Sequence, residues 1–214
     1  MNIVGIIPAR MASSRFPGKP LAEVCGMPMI GHVYFRSKLC KKLSQVYVAT
    51  CDEQIADYVL SIGGKAIMTS DKHQRASDRT AEALLKVEKD TGRKVDIVVM
   101  IQGDEPMIYP EMLQESIVPL INGEAEIVNL MAPLKSEEEQ IDPNEVKVVV
   151  DLNNFALYFS REPIPSWKKG AKNFPIFKQV CIIPFKRDFL IKFNKLTPTP
   201  LEIVESVDML RILE

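Results

Sequence analysis

Short apolar runs alternate with longer amphipathic stretches along the first 120 residues of the chain. The runs lack a polar face, as is typical of strands covered on both sides of a parallel sheet, and they lie at 2–7, 45–50, 65–69 and 96–101. Apolar residues at helical spacing predict helices at 29–42, 52–60, 78–89 and 110–120, with Asp52 as an N-cap. Four alternations predict an α/β fold with a doubly wound, mostly parallel sheet.

The pattern becomes less regular after residue 120. Apolar runs predict strands at 126–133, 146–150, 156–160 and 179–185, and helical spacing predicts helices at 188–194 and 201–213. The acidic run at 137–139 is predicted to be the solvated start of a helix. Because no repeat or low-complexity linker marks a boundary, residues 1–214 are interpreted as a single domain with a smaller later lobe or flap.

Three cations lie close together directly after the first predicted strand: Arg10, Arg15 and Lys19. Small and turn-forming residues separate them, so backbone N–H groups can approach a ligand closely. Ligands of open α/β sheets bind beyond the carboxyl ends of the strands, where these cations could neutralise much of a triphosphate. The loop is therefore predicted to bind polyphosphate, with an ordinary basic surface loop as the alternative. Neither G-x-x-x-x-G-K-[ST] nor G-x-G-x-x-G follows this strand.

A turn with the sequence QGDEP, at residues 102–106, follows the strongest predicted strand. One of its carboxylates, Asp104, is expected at the same sheet edge as the basic loop, because parallel strands end on the same side. A carboxylate beside substrate phosphates is a typical ligand of Mg²⁺. Together the cations and the carboxylate favour phosphoryl or nucleotidyl transfer, whereas a simple polar turn is the alternative.

Two further segments carry hydrogen-bonding side chains. Residues 73–79 (HQRASDR) follow the third predicted strand and could read a base or a sugar, although helix capping by Ser77 or Asp78 would also explain them. Nothing in the sequence orients His73, so a role for it as a general base has little support. Arg161 ends a predicted strand, where it could bind an acidic substrate or be an ordinary surface arginine.

Composition narrows the classes of function. The chain is 46% hydrophobic and 26% charged, with a net charge of −1, so no global field favours nucleic acid or an anionic membrane. No apolar run approaches the roughly 20 residues that span a bilayer, and no secretory signal is visible. The four cysteines are scattered and are expected to be reduced thiols in the cytoplasm, which argues against a disulfide framework or a zinc site.

Four segments resemble the 3-deoxy-manno-octulosonate (Kdo) cytidylyltransferase family: IPARMASSRFPGKPL at 7–21, QGDEP at 102–106, NEVKVV at 144–149 and ALYFSR at 156–161. The resemblance implies a Rossmann-like nucleotide-diphospho-sugar transferase fold. It also implies transfer of CMP from CTP to the anomeric hydroxyl of an acidic sugar, with Mg²⁺, release of pyrophosphate, and a product that enters lipopolysaccharide synthesis. A homodimer is implied, with a nucleotide-binding half at 1–122 and a sugar-binding and dimerisation half at 123–214.

The resemblance also implies roles for individual residues. The catalytic group, which binds the triphosphate and the metal, comprises Arg10, Arg15, Lys19 and the Mg²⁺ ligand Asp104. The other candidates on the nucleotide side are Pro8, Ala9 and, near the cytidine, Gln74. The candidates that contact the sugar acid are Arg79, Gln102, Arg161, Gln179 and Asp208.

This chain departs from the family pattern where the sugar is expected to bind. Gln179 stands in place of a family His, Ile183 in place of a Tyr, and Met209 in place of a Gln. Loss of hydrogen-bonding groups changes what a site can discriminate, so an altered sugar is expected, such as an amino-substituted or nonulosonic relative of Kdo.

Two alternatives to a Kdo cytidylyltransferase stay open. One is an acylneuraminate or other nonulosonate cytidylyltransferase, and the other is a catalytically silent nucleotide-binding protein. The second alternative arises because the family continues for about thirty residues beyond position 214, including an Asp that is a second metal ligand. The sequence is therefore expected either to be incomplete or to hold the metal with one carboxylate fewer.

Overall fold

The computed structural model describes residues 1–12, 16–166, 168–170 and 174–214. Its strands are β1 (Ile3–Ala9), β2 (Glu23–Val24), β3 (Met27–Pro28), β4 (Gln45–Thr50), β5 (Ala66–Met68), β6 (Ile97–Ile101), β7 (Leu130–Pro133), β8 (Lys147–Val150), β9 (Ala156–Ser160), β10 (Phe177–Val180) and β11 (Ile182–Lys186). Its helices are α1 (Met29–Lys38), α2 (Glu53–Ser61), α3 (Ala76–Thr91), α4 (Pro110–Asn122), α5 (Glu137–Ile141), α6 (Arg187–Phe193), α7 (Pro200–Glu205) and α8 (Leu210–Leu213), and a 3₁₀ turn spans Lys19–Leu21.

The first compact unit comprises Met1–Val128 and Cys181–Asn194. Its sheet has the order β11-β6-β1-β4-β5, in which β1, β4, β5 and β6 are parallel and β11 is antiparallel to β6. Every residue of β6 is buried, as expected for an apolar strand covered on both faces. Helix α1 packs on β1 and β4, and α3 packs on β1, β4, β5 and β6. The doubly wound, mostly parallel sheet predicted from the sequence is therefore confirmed.

The strand order reverses beside β1. From β1 the chain proceeds through β4 and β5 on one side, and it then returns to place β6 on the other side of β1. The carboxyl ends of β1 and β6 lie next to each other at this reversal, which is where open α/β sheets bind their ligands. The basic loop and the QGDEP turn are the two segments that leave these strand ends.

The second compact unit comprises Asn129–Val180 and Lys195–Glu214, and it provides the smaller later lobe. Its antiparallel sheet has the order β7-β10-β8-β9, and α8 packs on β9. Lys147 is fully buried in this unit, with its ammonium donating to the backbone oxygens of Asp142 and Arg161. Burial lowers the pKa of Lys147 below its ordinary value. The predicted helix start at 137–139 is confirmed, with Ser136 accepting from Glu139 N–H as N-cap.

Several predicted elements differ from the structure. The apolar run at 179–185 is not one strand: β10 ends at Val180 in the second unit, and β11 begins at Ile182 in the first. Of the strand predicted at 126–133, only Leu130–Pro133 is a strand, and Ile127 forms a single bridge to Phe185. The helix predicted at 201–213 is two short helices, because Ser206 adopts a left-handed conformation with φ of 52°. The spacing of apolar residues indicates which side chains are buried. It does not indicate where the chain passes from one sheet to another, or where one residue adopts a left-handed conformation.

Asp52 occupies the predicted N-cap position of α2, yet its carboxylate does not cap the helix. It instead accepts a hydrogen bond from Met11 N–H in the basic loop, at 2.8 Å. Within the described ranges, no helix combines the length and the apolar character that crossing a membrane requires.

Replacing Arg211 with Met is expected to lower the free energy of unfolding by about 3–5 kcal/mol. Arg211 Nε donates to Glu202 Oε2 at 2.6 Å, and Glu202 is fully buried, so the variant would leave a buried carboxylate without its cation. Urea denaturation followed by circular dichroism would measure the change. Lys94→Met is the control, because the ion pair of Lys94 with Asp188 is exposed and should change stability far less. Equal effects of the two variants would contradict the prediction.

Candidate active site

A cavity of about 290 Å³ lies at the carboxyl ends of β1 and β6, within the first unit. Three segments form its walls: the end of β1 with the basic loop, the start of α3 with the residues before it, and the turn after β6. The lining residues are Pro8, Ala9, Arg10, Ala12, Lys19, Pro20, His73, Gln74, Arg75, Ala76, Arg79, Gln102, Gly103 and Asp104. The fold thus brings the segment before α3 to the sheet edge where the basic loop and the QGDEP turn were expected to meet.

The basic loop is held by backbone contacts at its two ends. Gly18 adopts a left-handed φ of 75°, which glycine tolerates at little cost, and its N–H donates to Met11 O at 3.0 Å. Together with the Met11–Asp52 hydrogen bond, this contact brings both Arg10 and Lys19 to the cavity. Arg15, the third predicted cation, lies outside the described residues.

The turn after β6 approaches the end of β1 closely. A Cβ atom on Gly103 would lie 3.0 Å from Pro8 O, so a larger residue would push the two segments apart. Gln102 N–H donates to Cys181 O at 3.1 Å, which holds the start of the turn against the segment that enters β11. These two contacts position the start of the turn, and the side chain of Asp104 lines the cavity.

Lys19 and Asp104 form an ion pair across the cavity, with Nζ and Oδ2 separated by 2.6 Å. Both side chains are about one-third exposed, so a ligand in the cavity can reach them. Among the described residues, no group of three or more His, Cys, Asp or Glu side chains gathers as a metal site. A carboxylate oxygen among cations that suit phosphates is a donor set that fits a Mg²⁺ ion shared with ligand phosphates.

The third wall is held by Glu82, which projects from α3. Its carboxylate accepts from Ser70 N–H at 2.9 Å and from Lys86 Nζ at 2.7 Å, and it also bonds the His73 ring at Nε2. Burial raises the pKa of Glu82, but the hydrogen bonds from Lys86, Ser70 and His73 outweigh it and lower this pKa to about 2. Sequence analysis did not identify this contact, because Glu82 lies nine residues beyond His73 and no local pattern links the two side chains. The structure supplies the group that orients His73.

Arg79 lies in the same wall and is only 3% exposed. One guanidinium nitrogen, Nη1, donates to Thr69 Oγ1, whereas Nη2 is buried without a hydrogen-bond partner. Leaving a charged donor buried and unpaired is costly, so native structures normally satisfy such a group. Because Arg79 lines the cavity, an anionic ligand there is the natural acceptor.

The remaining predicted site residues fall into two groups. Pro8, Ala9, Gln74 and Gln102 line the cavity together with the catalytic candidates. Arg161, Gln179 and Asp208 belong to the second unit. There the Arg161 guanidinium donates to the backbone oxygens of Pro143, Glu205 and Ser206, and Gln179 Nε2 donates to Asn129 Oδ1. Their predicted contact with a sugar acid stays a prediction.

Two of the residues that depart from the family pattern are core residues here. Ile183 is 2% exposed in β11, and Met209 is 3% exposed directly before α8. Both positions therefore favour apolar side chains in this chain.

Comparison with known proteins gives consistent matches. The sequence matches a family model described as cytidylyltransferase over residues 4–214. It is 41% identical to 3-deoxy-manno-octulosonate cytidylyltransferase of Geobacter metallireducens, with 100% of this chain and 86% of that protein covered. It is 42% identical to 8-amino-3,8-dideoxy-manno-octulosonate cytidylyltransferase of Shewanella pealeana, with the same coverage. A solved structure of CMP:2-keto-3-deoxy-manno-octonic acid synthetase complexed with CTP is 38% identical, with a TM-score of 0.90 over 100% of this chain and 86% of that one.

The Glu82 hydrogen bonds predict a specific acid sensitivity. Because folding lowers the pKa of Glu82 from 4.5 to about 2, its contribution to stability is complete above pH 4.5 and is lost as the pH falls towards 2. A shift of this size corresponds to roughly 3 kcal/mol, reduced to about 2 kcal/mol because the carboxylate is 26% exposed.

The stability difference between the wild type and Glu82→Gln should therefore shrink between pH 5 and pH 2.5, as measured by urea denaturation. Glu115→Gln, an exposed change on α4, should follow the wild type across this range. A constant difference between the wild type and Glu82→Gln would contradict the assignment.

Proposed function

Because the chain belongs to the cytidylyltransferase family, we propose that it transfers CMP from CTP to the anomeric hydroxyl of Kdo or a closely related acidic sugar. The observation that carries this proposal is the charge pattern of one cavity. Cations and a carboxylate lie at its β1 and β6 end, and a buried arginine with an unpaired nitrogen lies in its α3 wall. A triphosphate and a sugar carboxylate are the two anions that such a reaction brings together.

The reaction displaces pyrophosphate at the α-phosphorus of CTP. The anomeric oxygen of the sugar forms a bond to this phosphorus, the bond to the oxygen that bridges the α- and β-phosphates breaks, and the hydroxyl proton passes to water. Negative charge then grows on the departing β- and γ-phosphates, so donors that are already in place lower the barrier. In our proposal Arg10 and Lys19 provide these donors, together with Arg15. Pro8 and Ala9 line the nucleotide site, and Gln74 lies near the cytidine.

Asp104 is proposed to hold Mg²⁺, as the donor chemistry of this end of the cavity allows. When bound, the ion would neutralise phosphate charge and help to orient the triphosphate. Lys19 would then share the phosphate oxygens with the metal, because its ammonium lies within 2.6 Å of the Asp104 carboxylate.

The acidic sugar is proposed to bind beside Arg79 and Gln102. A carboxylate would satisfy the buried Nη2 of Arg79, and the Gln102 amide can donate to or accept from sugar hydroxyls. Arg161, Gln179 and Asp208 are kept as further candidates for this substrate. We also propose that the protein is a cytoplasmic homodimer that supplies lipopolysaccharide synthesis.

An amino-substituted sugar is a second candidate substrate. The relative from Shewanella pealeana carries a name for the 8-amino-3,8-dideoxy sugar, and its identity of 42% is close to the 41% of the Kdo relative. Overall sequence identity therefore does not show whether Kdo or the 8-amino-3,8-dideoxy sugar is the substrate. Of the three departures from the family pattern, the change at Gln179 favours a sugar that differs from Kdo, because Ile183 and Met209 are core residues.

Pyrophosphate release with CTP, Mg²⁺ and a panel of sugar acids is the direct test. Kdo, its 8-amino-8-deoxy analogue and N-acetylneuraminate should be compared by kcat/KM. We expect release with one or both octulosonates, at least about tenfold faster than with the nonulosonate, because a pocket built for one set of hydroxyls leaves polar groups unpaired with another. Release with neuraminate alone would overturn the Kdo assignment, and no release with any sugar would overturn the proposed reaction.

Lys19 and Asp104 should affect CTP binding in different ways. Lys19→Ala should weaken CTP binding by about tenfold or more, both with Mg²⁺ and with EDTA, because it removes a charge-assisted contact to phosphate. Asp104→Asn should weaken CTP binding only with Mg²⁺, because it removes a metal ligand. Without Mg²⁺ it removes no contact to CTP, and Lys19, no longer paired with a carboxylate, can still bind phosphate. Calorimetric titration with CTP would measure both effects. The controls are Lys41→Ala and Asp57→Asn, which change exposed residues outside the cavity.

If Asp104→Asn lost the same amount of CTP affinity in Mg²⁺ and in EDTA, a metal-binding role for Asp104 would be excluded.

A further inference from the structure

The His73 ring is held in the cavity wall by a hydrogen bond that determines which of its nitrogens donates and which accepts. Its Nε2 atom is bonded to the Glu82 carboxylate, and the side chain is 23% exposed. An ionised carboxylate can only accept hydrogen bonds, so the proton in this contact belongs to Nε2. In the neutral ring the other nitrogen, Nδ1, then carries a lone pair and is an acceptor.

The wall that carries His73 is anchored to α3 at several points. Glu82 also binds Ser70 N–H, and its other oxygen is paired with Lys86. Arg79, from the same helix, binds the Thr69 hydroxyl at the start of this segment. The imidazole is therefore positioned before any ligand arrives, as a residue that selects between similar ligands should be.

Few of the described side chains that line this cavity can accept a hydrogen bond: besides His73, they are Asp104 and the amides of Gln74 and Gln102. The described cationic lining residues, namely Arg10, Lys19, Arg75 and Arg79, can only donate hydrogen bonds. The carboxylate of Asp104 accepts but is paired with Lys19. In the proposed function the phosphates of the nucleotide lie beside β1 and β6, and its base would then extend along the remaining wall, where His73 and Gln74 are found.

Pyrimidine bases differ in the group that faces such an acceptor. Cytosine carries an amino group at position 4, which donates, whereas uracil carries an oxygen there, which accepts. An acceptor beside position 4 thus favours cytosine and repels uracil.

We infer that His73 is a specificity-determining residue, which accepts a hydrogen bond from the 4-amino group of cytosine through Nδ1 and so selects CTP over UTP. Glu82 is its positioning residue. This inference rests on the proposed function, since it requires CTP to bind in the cavity described above.

Equilibrium dialysis with labelled CTP and UTP tests the inference without catalysis. His73→Leu removes the acceptor and should lower CTP affinity by roughly tenfold, while UTP affinity changes by less than about threefold. His73→Asn places an amide oxygen near the position of Nδ1 and should keep the CTP preference within about threefold of the wild type. His32→Asn is the matched control, because His32 binds Val24 O and lies outside the cavity lining. An unchanged CTP-to-UTP ratio in His73→Leu would overturn the inference.

A ligand-side experiment keeps the inference testable even if His73→Leu folds poorly. A CTP analogue with hydrogen in place of the 4-amino group should bind the wild type roughly tenfold more weakly than CTP, and His73→Asn should retain this difference. In His73→Leu the analogue and CTP should bind equally. Equal binding of both ligands to the wild type would overturn the inference.

The same measurements separate this inference from the proposed function. If the wild type bound neither CTP nor UTP, the proposed function itself would fail. If it bound CTP normally but His73→Leu kept the wild-type CTP preference, only the role of His73 in recognising the base would fail. Glu82→Gln should lower the ratio of CTP affinity to UTP affinity by a smaller factor than His73→Leu, because it loosens the His73 ring without removing the acceptor. An affinity ratio equal to that of the wild type would overturn the positioning role of Glu82.

Discussion

The parallel pairing of β1 with β6 is the constraint on which the candidate site depends. The register places Ile3 opposite Ile97 and Ile6 opposite Met100, so both strands run to the same edge of the sheet. Their continuations then approach so closely that a Cβ atom on Gly103 would lie 3.0 Å from Pro8 O. The cations of one loop and the carboxylate of the other consequently meet in one cavity, and the Lys19–Asp104 ion pair is a direct result of this geometry.

The electrostatics of the cavity follow from this arrangement. The chain as a whole is nearly neutral, so its positive field is local and arises because the fold brings Arg10, Lys19, Arg75 and Arg79 to the same walls. A partly enclosed site strengthens charge interactions relative to water, which suits a polyanionic substrate. The buried, unpaired nitrogen of Arg79 is tolerable if a ligand completes its hydrogen bonding, because stability lost in the free protein is recovered on binding.

Helix α3 contributes to the site in a way that neither strand end does. It carries Arg79 and Glu82 on successive turns, and Glu82 in turn holds Ser70 and His73. One helix thus positions Arg79, which is proposed to bind the sugar, and also the segment that carries His73, which is proposed to recognise the base. The second unit relies on different contacts: a buried Arg211–Glu202 pair and a buried Lys147 join its turns and helices.

The sequence by itself determined the fold class, the parallel strands and the segments that bear the charged candidates. These features follow from local patterns, since burial on two faces requires continuous apolar runs and loops that bind phosphate require small residues between cations. The resemblance to a known family added the reaction and the substrate class. Only the tertiary structure decided that Asp52 holds the basic loop instead of capping α2, that Glu82 orients His73, and that the run at 179–185 divides between two sheets. These contacts join residues whose partners lie on other elements, and hydropathy along the chain reports how deeply a residue is buried but not what it is buried against.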